Sequence, residues 1–201
     1  MEIEEKIKKA CDDSIRVKEQ FFKENINLIK EVAELIAKTL NEGGKILIFG
    51  NGGSATDASH IAAEFVNRFK RERPGLPAIA LNTDMAVITA IANDYDYSEV
   101  FAKQIKALGQ QGDIAIGIST SGSSRNVLKA VEVAKKRGLK TIAFTSKKGE
   151  KLISRVDYAF AVPSEETPRI QETHITLGHI LCELVEDILF EIPVTKKRLR
   201  Q

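Results

Sequence analysis

Lys45-Ile46-Leu47-Ile48-Phe49-Gly50-Asn51-Gly52-Gly53-Ser54 is the stretch that decides the fold. An unbroken apolar run with no polar alternation is the pattern of a strand buried on both faces. The glycines after it lead directly into a helical pattern. The same signature recurs at Ala78 to Leu81, Ile114 to Ile118, Thr141 to Phe144 and Tyr158 to Val162. Helical stretches lie between these runs, at about 55–69, about 85–108 with a break near Asn93, and about 124–137, with a last long one from about 168 to 189. Strand alternating with helix calls for right-handed crossovers in an open parallel sheet. The expectation is an α/β fold, a three-layer sandwich around a five-stranded parallel sheet.

Upstream, Ile3, Ile7, Ala10, Ser14, Val17 and Phe21 follow a spacing of four and three, and Phe22, Ile26, Ile29, Ala33, Ile36 and Leu40 repeat it one residue out of step. This predicts two amphipathic helices from near the start to about Leu40, separated by a break near Asn25 to Asn27. They are able to cover one sheet face or to pair with those of another subunit. Asn41-Glu42-Gly43-Gly44 ends the helical region, as glycine past a helix end commonly does. The chain carries no internal repeat, low-complexity segment or linker, only a short basic tail, Lys196 to Arg200, read as a solvated end.

The composition narrows the class. With 201 residues, 43% hydrophobic and 29% charged, the chain has material for one domain with a real core and is not disordered. Thirty Lys plus Arg against 28 Asp plus Glu leave a net charge of +2, which argues against nucleic acid as the partner. No apolar run approaches the ~20 residues that span a bilayer, and the acidic, helical N-terminus does not have the pattern of a secretory leader. A cytoplasmic, membrane-free protein is expected. Cys11 and Cys182, far apart and without CxxC spacing, suggest neither a disulfide framework nor a thiolate zinc site.

Ligands of open parallel sheets sit at the carboxyl ends of strands, so the loops after the first and third strands are the places to look. Gly50-Asn51-Gly52-Gly53-Ser54 is not GxGxxG, and no acidic residue stands about 20 positions on to bind a ribose. Its glycines instead let backbone N–H groups approach a ligand. Ser119-Thr120-Ser121-Gly122-Ser123-Ser124 puts five hydroxyls at a helix start. This is the chemistry of a phosphate site, with a plain N-cap in a serine-rich turn as the alternative. His60 and Glu64, four apart, share a helix face, as a surface pair or as metal ligands. On the last helix, Gln171 lies roughly 60° from His174 and roughly 80° from His179 around the axis, so geometry does not choose between the two histidines.

Together with Ala58 to Phe65 and with Arg169-Ile170-Gln171-Glu172 and His179, these motifs resemble the phosphoheptose isomerases of the sugar isomerase (SIS) superfamily, over nearly the whole chain. The resemblance implies an SIS α/β domain at 41–201 behind a helical arm at 1–40. It implies an isomerase that converts sedoheptulose 7-phosphate to D-glycero-D-manno-heptose 7-phosphate through an enediol, the first step towards the heptose of bacterial surface glycans such as lipopolysaccharide. It further implies Zn²⁺ and a homotetramer with sites at subunit interfaces. Carried over residue by residue, His60, Glu64, Gln171 and His179 match the zinc ligands, and Glu64 and His179 the catalytic base and acid. Ser119, Thr120, Ser121 and Ser124 match the phosphate loop. Asn51, Gly52 and Gly53, the pair Asn93 and Asp94, and Glu64 and Gln171 match the remaining substrate contacts. Nitrogen and oxygen donors in this number suit zinc. Pro168 departs from relatives that carry an acid there. The rival is a non-catalytic SIS-fold protein that associates with the bacterial replication initiator. The stretches Arg68 to Pro74, Leu76 to Thr83 and Ala90 to Asp94 resemble those proteins, but they lack the glutamate and second histidine present here as Glu64 and His179.

Overall fold

A computed structural model describes residues 2–190, so the basic tail Lys196 to Arg200 lies outside the described residues. The elements in chain order are α1 (Ile3–Asn41), β1 (Ile46–Gly50), α2 (Gly53–Val66), β2 (Ala78–Ala80), α3 (Met85–Asp94), α4 (Val100–Leu108), β3 (Ile114–Ile118), α5 (Arg125–Lys136), β4 (Lys140–Ser146), α6 (Glu150–Ile153), β5 (Tyr158–Val162) and α7 (Thr167–Phe190). The strands form one parallel sheet in the order β2-β1-β3-β4-β5.

The apolar runs are explained by where their side chains go. Ile46 and Ile48 of β1, Ile114, Ile116 and Ile118 of β3, and Ile142 and Phe144 of β4 pack with α1, α2 and α7. Leu47, Phe49, Ala115 and Ala143, the alternate residues, pack with α4 and α5 on the other face. With both faces covered, none of these strands needs a polar side. This is the expected three-layer sandwich.

Helix boundaries differ from expectation in instructive ways. No break occurs near Asn25: α1 is one continuous helix of 39 residues. Asn25 sits inside it by donating Nδ2–H to the carbonyl of Phe21 at 2.8 Å, one turn back. The one-residue step in the apolar stripe is the drift of a straight 3.6-residue helix against a seven-residue repeat, about 20° per heptad. Helix α2 stops at Val66 rather than near 69, because the Arg73 guanidinium takes the carbonyls of Phe65 and Glu64, at 2.8 and 2.9 Å. The break near Asn93 is present. Helix α3 ends at Asp94, and the Asp96 carboxylate then caps a short 3₁₀ turn, Tyr97–Glu99, by accepting from the N–H of Ser98 at 2.8 Å. The short helix α6 was not expected.

Candidate active site

The strand order reverses between β1 and β3, which lie side by side with Gly50 opposite Ile118. Crossovers leave this edge in opposite directions, opening a crevice at the carboxyl ends. The glycine loop borders it on one side and the serine loop on the other.

Both loops run into helices whose cap residues accept no hydrogen bond through a side chain. Gly52 precedes α2 at φ +55 with no side chain to offer, and Ser124 precedes α5 without capping it. The Ser124 hydroxyl instead lies 3.0 Å from that of Ser119. By contrast, Asp84 caps the neighbouring α3 through the N–H of Val87 at 3.0 Å. In α2 the N–H groups of Ser54 and Ala55 turn back to the carbonyls of Asn51 and Gly52, and in α5 that of Val127 goes to the Asn126 side chain. This leaves the N–H groups of Gly53, Arg125 and Asn126 at the positive ends of the two helices beside the hydroxyls, the chemistry of an anion site. Ser119 is buried, Thr120 half-buried and Ser121 exposed, so the hydroxyls are graded from floor to rim. Gly122 holds the loop at φ +61, where an added Cβ would collide with Gly149.

Helices α2 and α7 assemble the second group. A Cβ on Gly53 would collide with the Gln171 amide, which places Gln171 against the glycine loop. Two turns further along, Gly178 lets α7 approach Ile61, and His179 comes to His60 with ring centroids 5.0 Å apart. His60 Nε2 lies 3.1 Å from Glu64 Oε1. One donor atom from each of His60, Glu64 and His179 lies within 4.8 Å of the others. Two imidazoles and a carboxylate so converged fit a divalent cation of zinc type. Burial, reinforced by the charge of His60 and opposed by Glu64, pushes the His179 imidazole below its ordinary pKa, towards the neutral form that ligates. Gln171 sits eight residues before His179, about 12 Å along the helix axis.

His174 takes no part in this cluster. It is fully buried against Phe144 and donates Nε2–H to the carbonyl of Thr145 at 3.1 Å, while burial pushes its pKa down to about 4. Asn93 and Asp94 are exposed at the end of α3, joined to each other at 2.9 Å and followed directly by the 3₁₀ turn that reaches Asn51 through Tyr97. Pro168 lies in the first turn of α7, where its missing N–H removes no helical bond, and its ring offers no polar contact. Arg169 is structural: it pairs with Glu172 and reaches the carbonyl of Ala10 in α1.

Other residues about the site were not anticipated. Asp57 lies on the same stripe of α2 as His60 and Glu64, three and seven residues before them, so the helical period pointed to it. Its Oδ2 is buried without a hydrogen-bond partner, and desolvation, opposed by His60, raises its carboxyl to about 6. Phe69 stacks on His179 with centroids 5.6 Å apart. The segment carrying Phe69 is tied to α7 by Glu186, whose carboxylate accepts from the N–H groups of Phe69, Lys70 and Arg71 and pairs with buried Arg73 at 2.7 Å. No local pattern announces that pair.

A family model described as SIS domain matches residues 11–146. The phosphoheptose isomerase of Thermodesulfovibrio yellowstonii is 88% identical over the full length of both chains. That of Aquifex aeolicus is 53% identical over 93% of this chain and 98% of its own. The solved phosphoheptose isomerase of Neisseria gonorrhoeae superposes with a TM-score of 0.87 at 41% identity, covering 92% of this chain and all of its own. With relatives of that name matched nearly end to end, the initiator-associating alternative is not favoured. The residues at the crevice and the likeness of the whole chain agree, and the chain belongs to the phosphoheptose isomerases of the SIS-domain superfamily.

Proposed function

We infer that the protein interconverts sedoheptulose 7-phosphate and D-glycero-D-manno-heptose 7-phosphate, supplying the heptose of bacterial surface glycans such as lipopolysaccharide. The observation that carries this reading is the pairing of two helix starts whose cap residues leave N–H groups for a phosphate with a converged acid–base cluster on α2 and α7. Aldose–ketose isomerisation moves a proton between adjacent carbons through an enediol and a second proton between their oxygens. Glu64 is the carboxylate base for the carbon-bound proton, and His179 is the acid that serves the oxygens. The serine loop, through Ser119, Thr120, Ser121 and Ser124, holds the phosphate. Asn51, Gly52, Gly53, Asn93, Asp94 and Gln171 orient the sugar chain.

His60, Glu64 and His179, with Gln171 as the fourth donor, are the residues that would hold Zn²⁺. When bound, the ion supplies Lewis-acid polarisation of the carbonyl. Among the described residues both cysteines are free, and no helix is long and apolar enough to cross a membrane. A cytoplasmic site of action follows from charged, membrane-impermeant substrates.

The active form is a homotetramer with sites completed between subunits. Helix α3 fully buries none of its residues in the single chain: Met85 is exposed, and Ile88 and Ile91 are only partly covered by the core beneath them. Ile3, Ile7 and Ile26 of α1 are likewise exposed, and an apolar groove of about 570 Å³ runs between α1 and α7 past Phe22, Ile29, Ile180 and Leu184. Surfaces of this kind mark association. Purified protein given sedoheptulose 7-phosphate is expected to form the aldose product, and light scattering to give four times the chain mass. No turnover, or a monomer at micromolar concentration, defeats the respective part of this reading.

A further inference from the structure

Beyond the last ladder pair of β1 and β3, two hydrogen bonds are the only ones that join the glycine loop to the serine-loop side of the crevice among the described residues. Asn51 Nδ2–H donates to Asn126 Oδ1 at 2.9 Å, and Asn126 Nδ2–H donates to Asn51 Oδ1 at 2.8 Å. Asn51 opens the glycine loop. Asn126 is the second residue of α5, directly after Ser124 and Arg125, and is only 3% exposed. The Asn126 oxygen also accepts from the N–H of Val127 at 3.0 Å, and the Tyr97 hydroxyl donates to Asn51 Oδ1 at 3.1 Å. A reciprocal pair of this kind suits two carboxamides, each of which donates and accepts from one planar end, whereas an ionised carboxylate only accepts.

The pair sits at the crevice, where the two strands part and the ladder no longer holds their continuations together. We propose that Asn126 is a positioning residue for the isomerisation: through Asn51 it fixes the glycine loop relative to the serine loop, so that one substrate meets both. The proposal rests on the reading of these loops as the substrate site. Asn51, with its oxygen engaged by Asn126 and Tyr97, then serves the substrate chiefly by carrying the backbone N–H groups of Gly52 and Gly53 into place. Asn126 touches no substrate. Its effect is orientational, and a displacement of about 1 Å at a reacting end costs up to about a hundredfold in rate.

The test is a double-substitution cycle on the full-length protein. Asn126→Ala is expected to lower kcat by about ten- to a hundredfold. Inhibition by inorganic phosphate, which needs only the serine loop, should stay within about twofold. Asn51→Ala should cost a similar factor, and the double variant no more than either single one, because both remove the same link. Asn126→Asp, which keeps the acceptor and loses the donor to Asn51, should fall between native and Asn126→Ala. It also carries the comparison if the alanine variant does not fold. Folded Asn126→Ala or Asn126→Asp with native kcat overturns the proposal, as do losses that multiply in the double variant. A native protein that turns over no sugar phosphate overturns the underlying site reading instead, and is a separate outcome.

Discussion

Gly178 of α7 lies so close to Ile61 of α2 that a Cβ added to it would stand 2.5 Å from Ile61 Cδ1. This contact sets the separation of the helices that carry His60, Glu64 and His179. Gly178→Ala gains up to about 1 kcal/mol in helix propensity, but overpacking of about 1–3 kcal/mol outweighs it. The expected result is a lower melting temperature together with reduced zinc content, read by calorimetry and metal analysis. A variant that melts higher and binds zinc normally would show that the helices need no such closeness.

Glu64→Gln keeps the side-chain shape and removes the proton acceptor. We expect kcat to fall by about two to four orders of magnitude, while inhibition by inorganic phosphate is unchanged. His60→Ala should lose zinc. Folded His174→Gln should retain it, since His174 faces Thr145 in the core. Zinc content unaffected by the His60 change would remove that ligand set.

Ser124→Ala breaks the hydroxyl pair with Ser119 and removes one donor from the loop. A remote phosphate contributes binding shared by ground and transition states, so KM should rise, by about tenfold, more than kcat falls. Initial rates across substrate concentration decide the matter. An unchanged KM argues that the phosphate sits elsewhere.

Asp57 predicts a pH dependence of stability. Its folded pKa, about 6, lies above the ordinary 3.8 because burial disfavours the charged form. Below about pH 4 the carboxyl is neutral whether the chain is folded or not, and there is no penalty. Between the two values the folded chain keeps a proton that the unfolded chain has released, so stability falls as pH rises, and the full penalty applies above about pH 6. Asp57→Asn should therefore melt a few degrees higher than native protein at neutral pH and no higher near pH 4. Equal differences at both pH values would show that the carboxyl does not titrate in this way.

The number of strands, their parallel sense, the three layers and the ends of most helices were readable from local pattern, because a strand covered on both faces has to be apolar along its length. The order of the strands is set by how the crossovers pack and came only from the structure. Asn25 misled for a local reason: its polarity interrupts a stripe, yet its amide closes on the carbonyl one turn back and costs the helix little. The site divides in the same way. His60, Glu64 and the serine loop lie within single turns and were legible as candidates. Asn126 with Asn51, and Arg73 with Glu186, are made by strands and helices meeting far apart in sequence. Among 30 basic and 28 acidic residues no pattern singles out one buried ion pair.

The chain's first helix is completed by its last. Val17, Phe21, Ile29 and Ile36 of α1 belong to the core cluster that also takes Leu177, Leu181 and Val185 of α7. At a synthesis rate of 5–20 residues per second, α7 begins to emerge only about 6–25 s after α1 is finished. Throughout that interval the nascent chain carries an uncovered apolar flank that no intervening helix replaces. A messenger cut short before α7 would leave this flank uncovered for good and is expected to yield an aggregating product rather than a smaller enzyme.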